Sequence, residues 1–156
     1  MSLEAAITEL ETEVGTETYV GQWFTIDQDR VDRFADVTCD RQWIHTEPER
    51  AASQSPFGTT VAHGYLTLSL IPHLTESVNP DKPQFEGVKL AVNYGLNKVR
   101  FPNAVKVGAR IRARKALVLF EEVKGGVQMI NKITIEIEGQ EKPACVAETI
   151  SRVYFS

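Results

Sequence analysis

Asp40 and His45 lie five positions apart in a stretch, residues 38–47, that looks irregular. An acid and an imidazole that face a common point can hold one water molecule, with one group accepting its proton while the other donates one. The pair alone leaves open which residue is the formal base. An aspartate near a histidine is often only a surface arrangement, so the hypothesis depends on what surrounds the pair.

His63 and Gly64 are the second feature, because they stand where an apolar helix is expected to begin. The free N–H groups at a helix start, together with the positive end of the helix dipole, can stabilise an oxyanion. The amide of Gly64 is therefore a candidate oxyanion donor. For His63 we favour a packing histidine that caps the helix over a catalytic role.

The helix after Gly64 is predicted to be buried, since it has hardly any polar face. Its apolar positions are Tyr65, Leu66, Leu68, Leu70, Ile71 and Leu74. A helix that is apolar nearly all round lies in the middle of a structure. Other elements must therefore surround it.

Strands are predicted for most of the chain after residue 86. Their expected ranges are 88–94, 97–101, 110–123, 127–138 and 144–155. In the fourth range the alternate positions are apolar, with Asn131 as the exception, and Gly125-Gly126 indicates a hairpin before it. Short turns between successive strands imply an antiparallel sheet. The expected fold is α+β, with a long antiparallel sheet wrapped around a central buried helix in a single domain, residues 1–156.

The first third of the chain is predicted to be mainly helical. Helical spacing of apolar residues favours a helix over 2–14, and β-branched and aromatic residues favour a strand over 19–26. Asp27 can cap a second helix that buries Val31, Phe34 and Ala35, and another helix is expected to begin near Pro48.

Composition excludes several other classes of protein. The 17 basic residues are scattered and the net charge is −4, so no nucleic-acid partner is expected. Cys39 and Cys145 do not form a disulfide framework, and the three histidines with Cys39 lack zinc-ligand spacing, so no metal is predicted. The first residues do not resemble a signal peptide, and the apolar stretch 61–74 is too short to span a bilayer. We expect a cytoplasmic protein without a membrane partner.

The stretch from Phe34 to Leu74 resembles the MaoC-like dehydratase family, also called hydratase 2, and most closely its NodN-like branch. The resemblance rests on Asp40, His45 after four intervening residues, the acidic Glu47, and the His-Gly pair at the helix start, all in order. Where the main branch has a glycine before the aspartate this chain has Cys39. Gln42-Trp43 replaces the usual Asn-Pro.

The resemblance implies a homodimeric hot-dog enzyme that hydrates trans-2-enoyl-CoA to (3R)-hydroxyacyl-CoA in fatty acid metabolism. It makes Asp40 and His45 the catalytic pair and directs the Gly64 amide to the thioester oxygen. The CoA belongs to the substrate, and no cofactor is expected. An open sheet edge, which proteins normally cover, also favours pairing of two copies edge to edge.

Further residues are candidates for substrate binding. They are Gln42, Trp43, Ile44, His63, Tyr94, Asn97 and Arg100. Trp43 and Ile44 line a pocket or simply pack, while the polar residues around Gly95 face a substrate tunnel or satisfy a β-bulge. Arg100 can meet CoA phosphates, whereas alternating arginines at 110, 112 and 114 are more typical of a solvated face.

Two alternative functions share the fold. One is a hot-dog acyl-CoA thioesterase, whose acid would commonly lie on or face the central helix, yet residues 61–74 contain no acidic side chain. The other is a non-catalytic acyl-CoA-binding protein. Loss of Asp40 or His45 would favour it, and both are present.

Overall fold

One antiparallel sheet organises the protein, whose computed structural model describes residues 2–155. The helices are α1 (Leu3–Glu13), α2 (Gln28–Thr38), α3 (Trp43–Thr46), α4 (Pro48–Gln54), α5 (Gly64–Ser69) and α6 (Ile71–Leu74). The strands are β1 (Glu17–Val20), β2 (Phe24–Thr25), β3 (Val88–Arg100), β4 (Arg110–Val123), β5 (Gly126–Ile137) and β6 (Cys145–Phe155). The sheet order is β1-β4-β5-β6-β3, and β2 also pairs with β4. The predicted α+β class is confirmed.

The concave face of the sheet follows the predicted alternation. On β5, alternate residues from Val127 to Ile137 are buried, and Asn131 is buried with them. Gly125, with a φ of 78°, turns the chain between β4 and β5, so the predicted hairpin is confirmed. Because one face of each strand is apolar, the register of the three long central strands is well defined.

The N-terminal elements cover one end of this face. The hydroxyl of Ser2 accepts the N–H of Ala5 at the start of α1, and α1 buries Ala6 and Leu10 against the sheet. The carboxylate of Asp27 accepts the N–H of Arg30, which confirms the predicted cap of α2.

The strand predicted over residues 19–26 is instead two short strands, β1 and β2. Between them Gly21 passes so close to the end of the central helix that a Cβ there would lie 2.5 Å from the carbonyl oxygen of Leu74. Only glycine fits this close approach, and the regular strand is interrupted over residues 21–23, although the Gly21 N–H still donates to the carbonyl of Ala113 in β4.

The central helix is broken, whereas a single helix was expected over residues 65–74. Segments α5 and α6 meet at Leu70, and Pro72 lies in the first turn of α6. Proline has no N–H, and its ring collides with the carbonyl four residues earlier, so a continuous helix cannot pass through it. Leu66, Leu70, Ile71 and Leu74 are buried as predicted, but Tyr65 is 69% exposed.

Strand β3 forms one edge of the sheet and is a single irregular strand, not the two that were predicted. Its pairing with β6 shifts register between Asn93 and Gly95 and again between Asn97 and Arg100. Lys98, with a φ of 51°, lies in the second irregularity. Strand β3 therefore bends, as bulged strands do.

None of the helices in residues 2–155 combines the length and apolar composition that a membrane crossing requires.

Candidate active site

Asp40, His45 and His63 lie together at the start of α5. Asp40 follows α2, His45 belongs to α3, and His63 directly precedes α5. One nitrogen or carboxylate oxygen from each residue lies within 4.8 Å of the other two. The imidazoles are buried, at 8% and 3% exposure, while the Asp40 side chain is 50% exposed. The cluster therefore has two enclosed bases and one carboxylate open to solvent.

Helix α3 determines where His45 lies, within a segment predicted to be irregular. The His45 N–H bonds to the carbonyl of Gln42, and the carbonyl of His45 accepts a hydrogen bond from Gln28 Nε2 at 2.7 Å. Thr60 donates in turn to Gln28 Oε1 at 2.5 Å. The single turn of α3 is thus tied to α2 and to the loop before α5.

The two nitrogens of His45 have different roles. Its Nδ1 lies 2.6 Å from the carbonyl oxygen of Val61, which can only accept, so Nδ1 carries the hydrogen. Nε2 then keeps a lone pair. Burial lowers the pKa of His45 below its ordinary value of 6.5, with neighbouring His63 lowering it further and the Val61 carbonyl and Asp40 opposing the shift. His45 is therefore a neutral acceptor at neutral pH.

His63 holds the loop that carries Asp40. Its Nε2 donates to the backbone carbonyl of Asp40 at 2.9 Å and lies 4.0 Å from the carboxylate. The ring stacks on His45 at 3.8 Å and contacts Phe34 at 4.9 Å. Packing was predicted, but capping was not correct, since the His63 side chain makes no cap hydrogen bond to α5. Its Nδ1 is buried without a partner among residues 2–155.

The same three residues have the chemistry of metal ligands, but their geometry does not suit an ion. The rings of His45 and His63 are stacked with only 24° between their planes. Imidazole lone pairs lie in the ring plane, so two nearly parallel rings do not direct them to one point. Each ring also has one nitrogen bonded to a backbone carbonyl. The arrangement fits proton chemistry better than metal coordination.

Gly64 lies at the start of α5, beside this cluster. The carbonyl of His63 accepts the N–H groups of Leu66 and Thr67, while the Gly64 N–H has no backbone acceptor in the described part of the chain. A Cβ at Gly64 would lie 3.1–3.2 Å from the ring of Phe101. Glycine thus allows Phe101 to pack closely and leaves an N–H available to a ligand.

The candidates on α3 have structural contacts of their own. Gln42 is exposed at the start of α3. Trp43 stacks under the guanidinium of Arg50 at 4.5 Å, and the carbonyl of Ile44 accepts the N–H of Val61. Trp43 and Ile44 are half-buried and directly precede His45 in α3.

The remaining candidates, Tyr94, Asn97 and Arg100, belong to strand β3, which contributes no residue to this cluster. Tyr94 is exposed and stacks under the guanidinium of Arg152 at 3.6 Å. Asn97 and Arg100 flank the second irregularity of the strand and are exposed. The pairing of β3 with β6 is irregular around Gly95, in agreement with the predicted alternative that the polar residues there satisfy a β-bulge.

The alternating arginines of β4 are paired with acids. Arg110 pairs with Glu138, and Arg112 and Arg114 both bond to Glu136. Arg114 also reaches Glu17 at 2.9 Å. They form the solvated face that was predicted.

Three groups that position the site were not predicted: the Val61 carbonyl, Gln28 and Phe101. Each acts through a contact between residues far apart in the chain. The backbone carbonyl and Gln28 leave no local pattern in the sequence. For Phe101 the only signal was its place at the end of a predicted strand.

The chain is similar over most of its length to known proteins. Residues 9–138 match the model of the MaoC-like domain. The chain is 51% identical to 3-hydroxyacyl-thioester dehydratase Z of Mycobacterium tuberculosis, over 94% of this chain and 95% of that protein. It is 40% identical to nodulation protein N of Rhizobium leguminosarum bv. viciae, over 97% and 93%.

Solved structures share the fold. The (R)-hydratase from A. caviae involved in PHA biosynthesis superposes with a TM-score of 0.66 at 24% identity, over 86% of this chain and 96% of that one. The sheet wrapped around a broken central helix is therefore a hot-dog fold. With this fold, the domain match and two relatives above 30% identity, the chain belongs to the MaoC-like dehydratase family.

Proposed function

We propose that the protein is an (R)-specific enoyl-CoA hydratase that adds water to trans-2-enoyl-CoA and forms (3R)-hydroxyacyl-CoA. The observation that carries this proposal is the proximity of the Asp40 carboxylate to His45, a neutral imidazole whose Nε2 is free. Groups up to 4.8 Å apart can share one bridging water. A carboxylate and an imidazole so placed can bind water and move its protons.

In the proposed reaction, the water held by Asp40 and His45 attacks the β-carbon of the enoyl thioester. A carbon–oxygen bond forms there while one water O–H bond breaks, and the proton passes to the dyad. The α-carbon then receives a proton from the dyad. The Gly64 N–H donates to the thioester oxygen, which carries negative charge in the enolate-like intermediate. The reverse sequence dehydrates the hydroxyacyl thioester.

The names of similar proteins support both directions of this equilibrium. The M. tuberculosis relative is named as a dehydratase of 3-hydroxyacyl thioesters, and the A. caviae protein as an (R)-hydratase. Addition and elimination of water pass through the same transition state, so one dyad serves both.

Purified protein and crotonyl-CoA test this proposal. We expect the absorbance of the conjugated thioester to fall without release of free thiol, and chiral chromatography to show the (3R) product. The Asp40→Asn variant is the control for contaminating hydratase. Thiol release at a comparable rate would favour the thioesterase alternative, and an (S) product would overturn the stereochemical assignment.

We also propose that two copies of the chain pair through β3. This 13-residue edge strand exposes apolar side chains, namely Leu90, Val92, Tyr94 and Leu96. An exposed apolar edge of this length is a template for pairing with another strand. A second copy supplies an identical strand, and the two-fold symmetric pairing continues the sheet across both subunits.

A further inference from the structure

A cavity of about 320 Å³ lies between α6, the loop that follows it and the concave face of the sheet. Its walls include apolar residues such as Ile71 and Phe85. Its sheet side combines apolar residues such as Ile133 and Val153 with five polar ones, namely Asn93, Lys115, Asn131, Thr149 and Ser151. None of these belongs to the Asp40–His45–His63 cluster.

The polar residues form one patch that interrupts the core. Asn131 pairs across the ladder with Thr149, and Asn93 pairs with Ser151. On each central strand the patch separates two apolar clusters, as Asn131 does between Ile133 and Met129. Lys115 lies likewise between Ala113 and Leu117 on β4.

The side chains of this patch have no protein partners. Asn131 is only 5% exposed, yet its amide makes no hydrogen bond to another group in residues 2–155. Thr149 and Ser151 are half-buried, and their side chains line the same cavity. Polar side chains that face a cavity and make no hydrogen bond to the protein can donate to or accept from a ligand or water bound there.

Lys115 adds a positive charge to the patch. Burial lowers the pKa of its ammonium group, and the negative charge of Glu13 partly opposes this shift. Lys115 has no carboxylate within 4 Å in the described residues. Lys115 is half-buried and lines the cavity, so its ammonium group can pair with an anionic group bound there.

The cavity adjoins the second segment of the central helix, whose first segment begins at Gly64. Gly64 begins α5, and Ile71, seven residues later, lines the cavity. At 1.5 Å per helical residue this separation is about 10 Å. An acyl chain bound at Gly64 that ran beside the central helix would therefore have its far end at the level of this cavity.

We propose that this cavity binds the far end of the acyl chain and selects chains that carry a carboxylate there, with Lys115, Asn131 and Thr149 as the recognising side chains. The proposal rests on the hydratase function and names its substrate class. An ω-carboxylate would pair with the ammonium and accept from the amide and hydroxyl. A plain methyl end would leave all three without partners.

The test compares matched trans-2-enoyl-CoA esters, from hexenoyl to dodecenoyl, with and without an ω-carboxylate. For the chain length that reaches the patch we expect kcat/KM to be about 10- to 100-fold higher for the carboxylated ester, as expected for hydrogen bonds to a charged group. No preference at any length, in a protein that hydrates crotonyl-CoA, would overturn the proposal. If crotonyl-CoA is not hydrated, the hydratase function fails instead, and calorimetric binding of the same esters decides about the cavity.

Variants of the cavity test whether its side chains cause the preference for carboxylated esters. Lys115→Met and, separately, Asn131→Leu should lower the ratio of kcat/KM for carboxylated over plain esters about tenfold or more. Lys132→Met is the matched control, because Lys132 is exposed next to Asn131 on the same strand. It should leave the ratio unchanged. A ratio that survives in both patch variants, or falls equally in the control, would show that the cavity does not recognise the carboxylate.

Discussion

His45 has an imidazole whose two nitrogens lie in different surroundings, and this asymmetry determines what it can do. The Val61 carbonyl holds the hydrogen on Nδ1, so only Nε2 can bind water or exchange a proton. Asp40 is complementary, because its carboxylate is half exposed and its backbone is held by His63. In the proposed mechanism the two groups act as a unit on one water.

Substitution of the dyad should affect turnover much more than binding. Asp40→Asn or His45→Ala should lower kcat on the order of 10²–10⁴-fold, with little increase in KM, since both groups act mainly in the transition state. The double variant should be hardly worse than the weaker single variant, because both residues hold the same water. Steady-state kinetics with crotonyl-CoA measures these values.

His73→Ala is the matched control for this experiment. His73 is exposed at the other end of the central helix and packs on Phe24 instead of the dyad. It should retain turnover. Losses that multiply cleanly in the Asp40/His45 double variant would show that the two residues work independently.

The pH dependence of turnover should reflect the buried state of His45. Burial lowers its pKa, so the imidazole stays neutral as the pH falls below 6.5. The acidic limb of kcat/KM against pH should therefore lie below 6.5. An acidic limb at or above 6.5 would mean that His45 is not the group that must be neutral.

The same shift lowers conformational stability in acid. Below pH 6.5 the unfolded chain takes up a proton on His45 that the folded chain does not, so the free energy of unfolding falls as the pH is lowered through this range.

At the scale of single elements, the hairpin between β4 and β5 depends on a glycine for space. A Cβ at Gly126 would lie 2.0 Å from the carbonyl oxygen of Val153 in β6, although Gly126 does not need a positive φ. Gly126→Ala should thus push β5 away from β6 and lower the free energy of unfolding by several kcal/mol, at the upper end of single-substitution effects. Denaturant unfolding measures the loss.

Gly139→Ala is the comparison that separates the effect of a steric clash from the effect of backbone strain. Gly139 has a φ of 76° with open space around it, so alanine there costs only backbone strain, about 1 kcal/mol. Equal losses in the two variants would contradict the steric explanation.

The elements that were predictable from sequence have local causes. Asp27 caps α2 within four residues, and the alternation from Val127 to Ile137 determines the buried face of β5. The break at Leu70 has a local cause as well, since Pro72 was visible, but the nearly complete apolar run favoured one continuous helix. The division of residues 19–26 occurs where Gly21 packs against Leu74, and no local pattern reports this distant contact.

The candidate site also has a part that the sequence predicts and a part that only the folded structure shows. Asp40, His45 and the His63-Gly64 pair form a recognisable motif, and the structure brings them together. The tautomer of His45 depends on the Val61 carbonyl, and the spacing at Gly64 depends on Phe101. Both are tertiary contacts of backbone or packing, so they follow only from the folded chain.

At the scale of the whole molecule, the apolar edge of β3 should determine the oligomeric state. Leu96→Asp places a charge in the exposed apolar row and should convert the proposed dimer to a monomer, because a buried unpaired carboxylate opposes association. Light scattering at micromolar concentration measures the change in mass. Leu119→Asp is the control, because Leu119 is also exposed, at 37% against 47% for Leu96, but lies on β4, away from the β3 edge. This variant should keep the mass of a dimer. A wild-type monomer would contradict the pairing itself.

The two cysteines differ in a way that makes the protein suitable for site-specific fluorescence. Cys39 is exposed at the end of α2 and directly precedes Asp40, whereas Cys145 is buried with its thiol pKa raised to about 11. A maleimide dye at neutral pH should therefore attach to Cys39 alone, because the thiolate is the reactive form. The dye would report ligand arrival beside the carboxylate in real time, including ligands that the enzyme binds without turning them over.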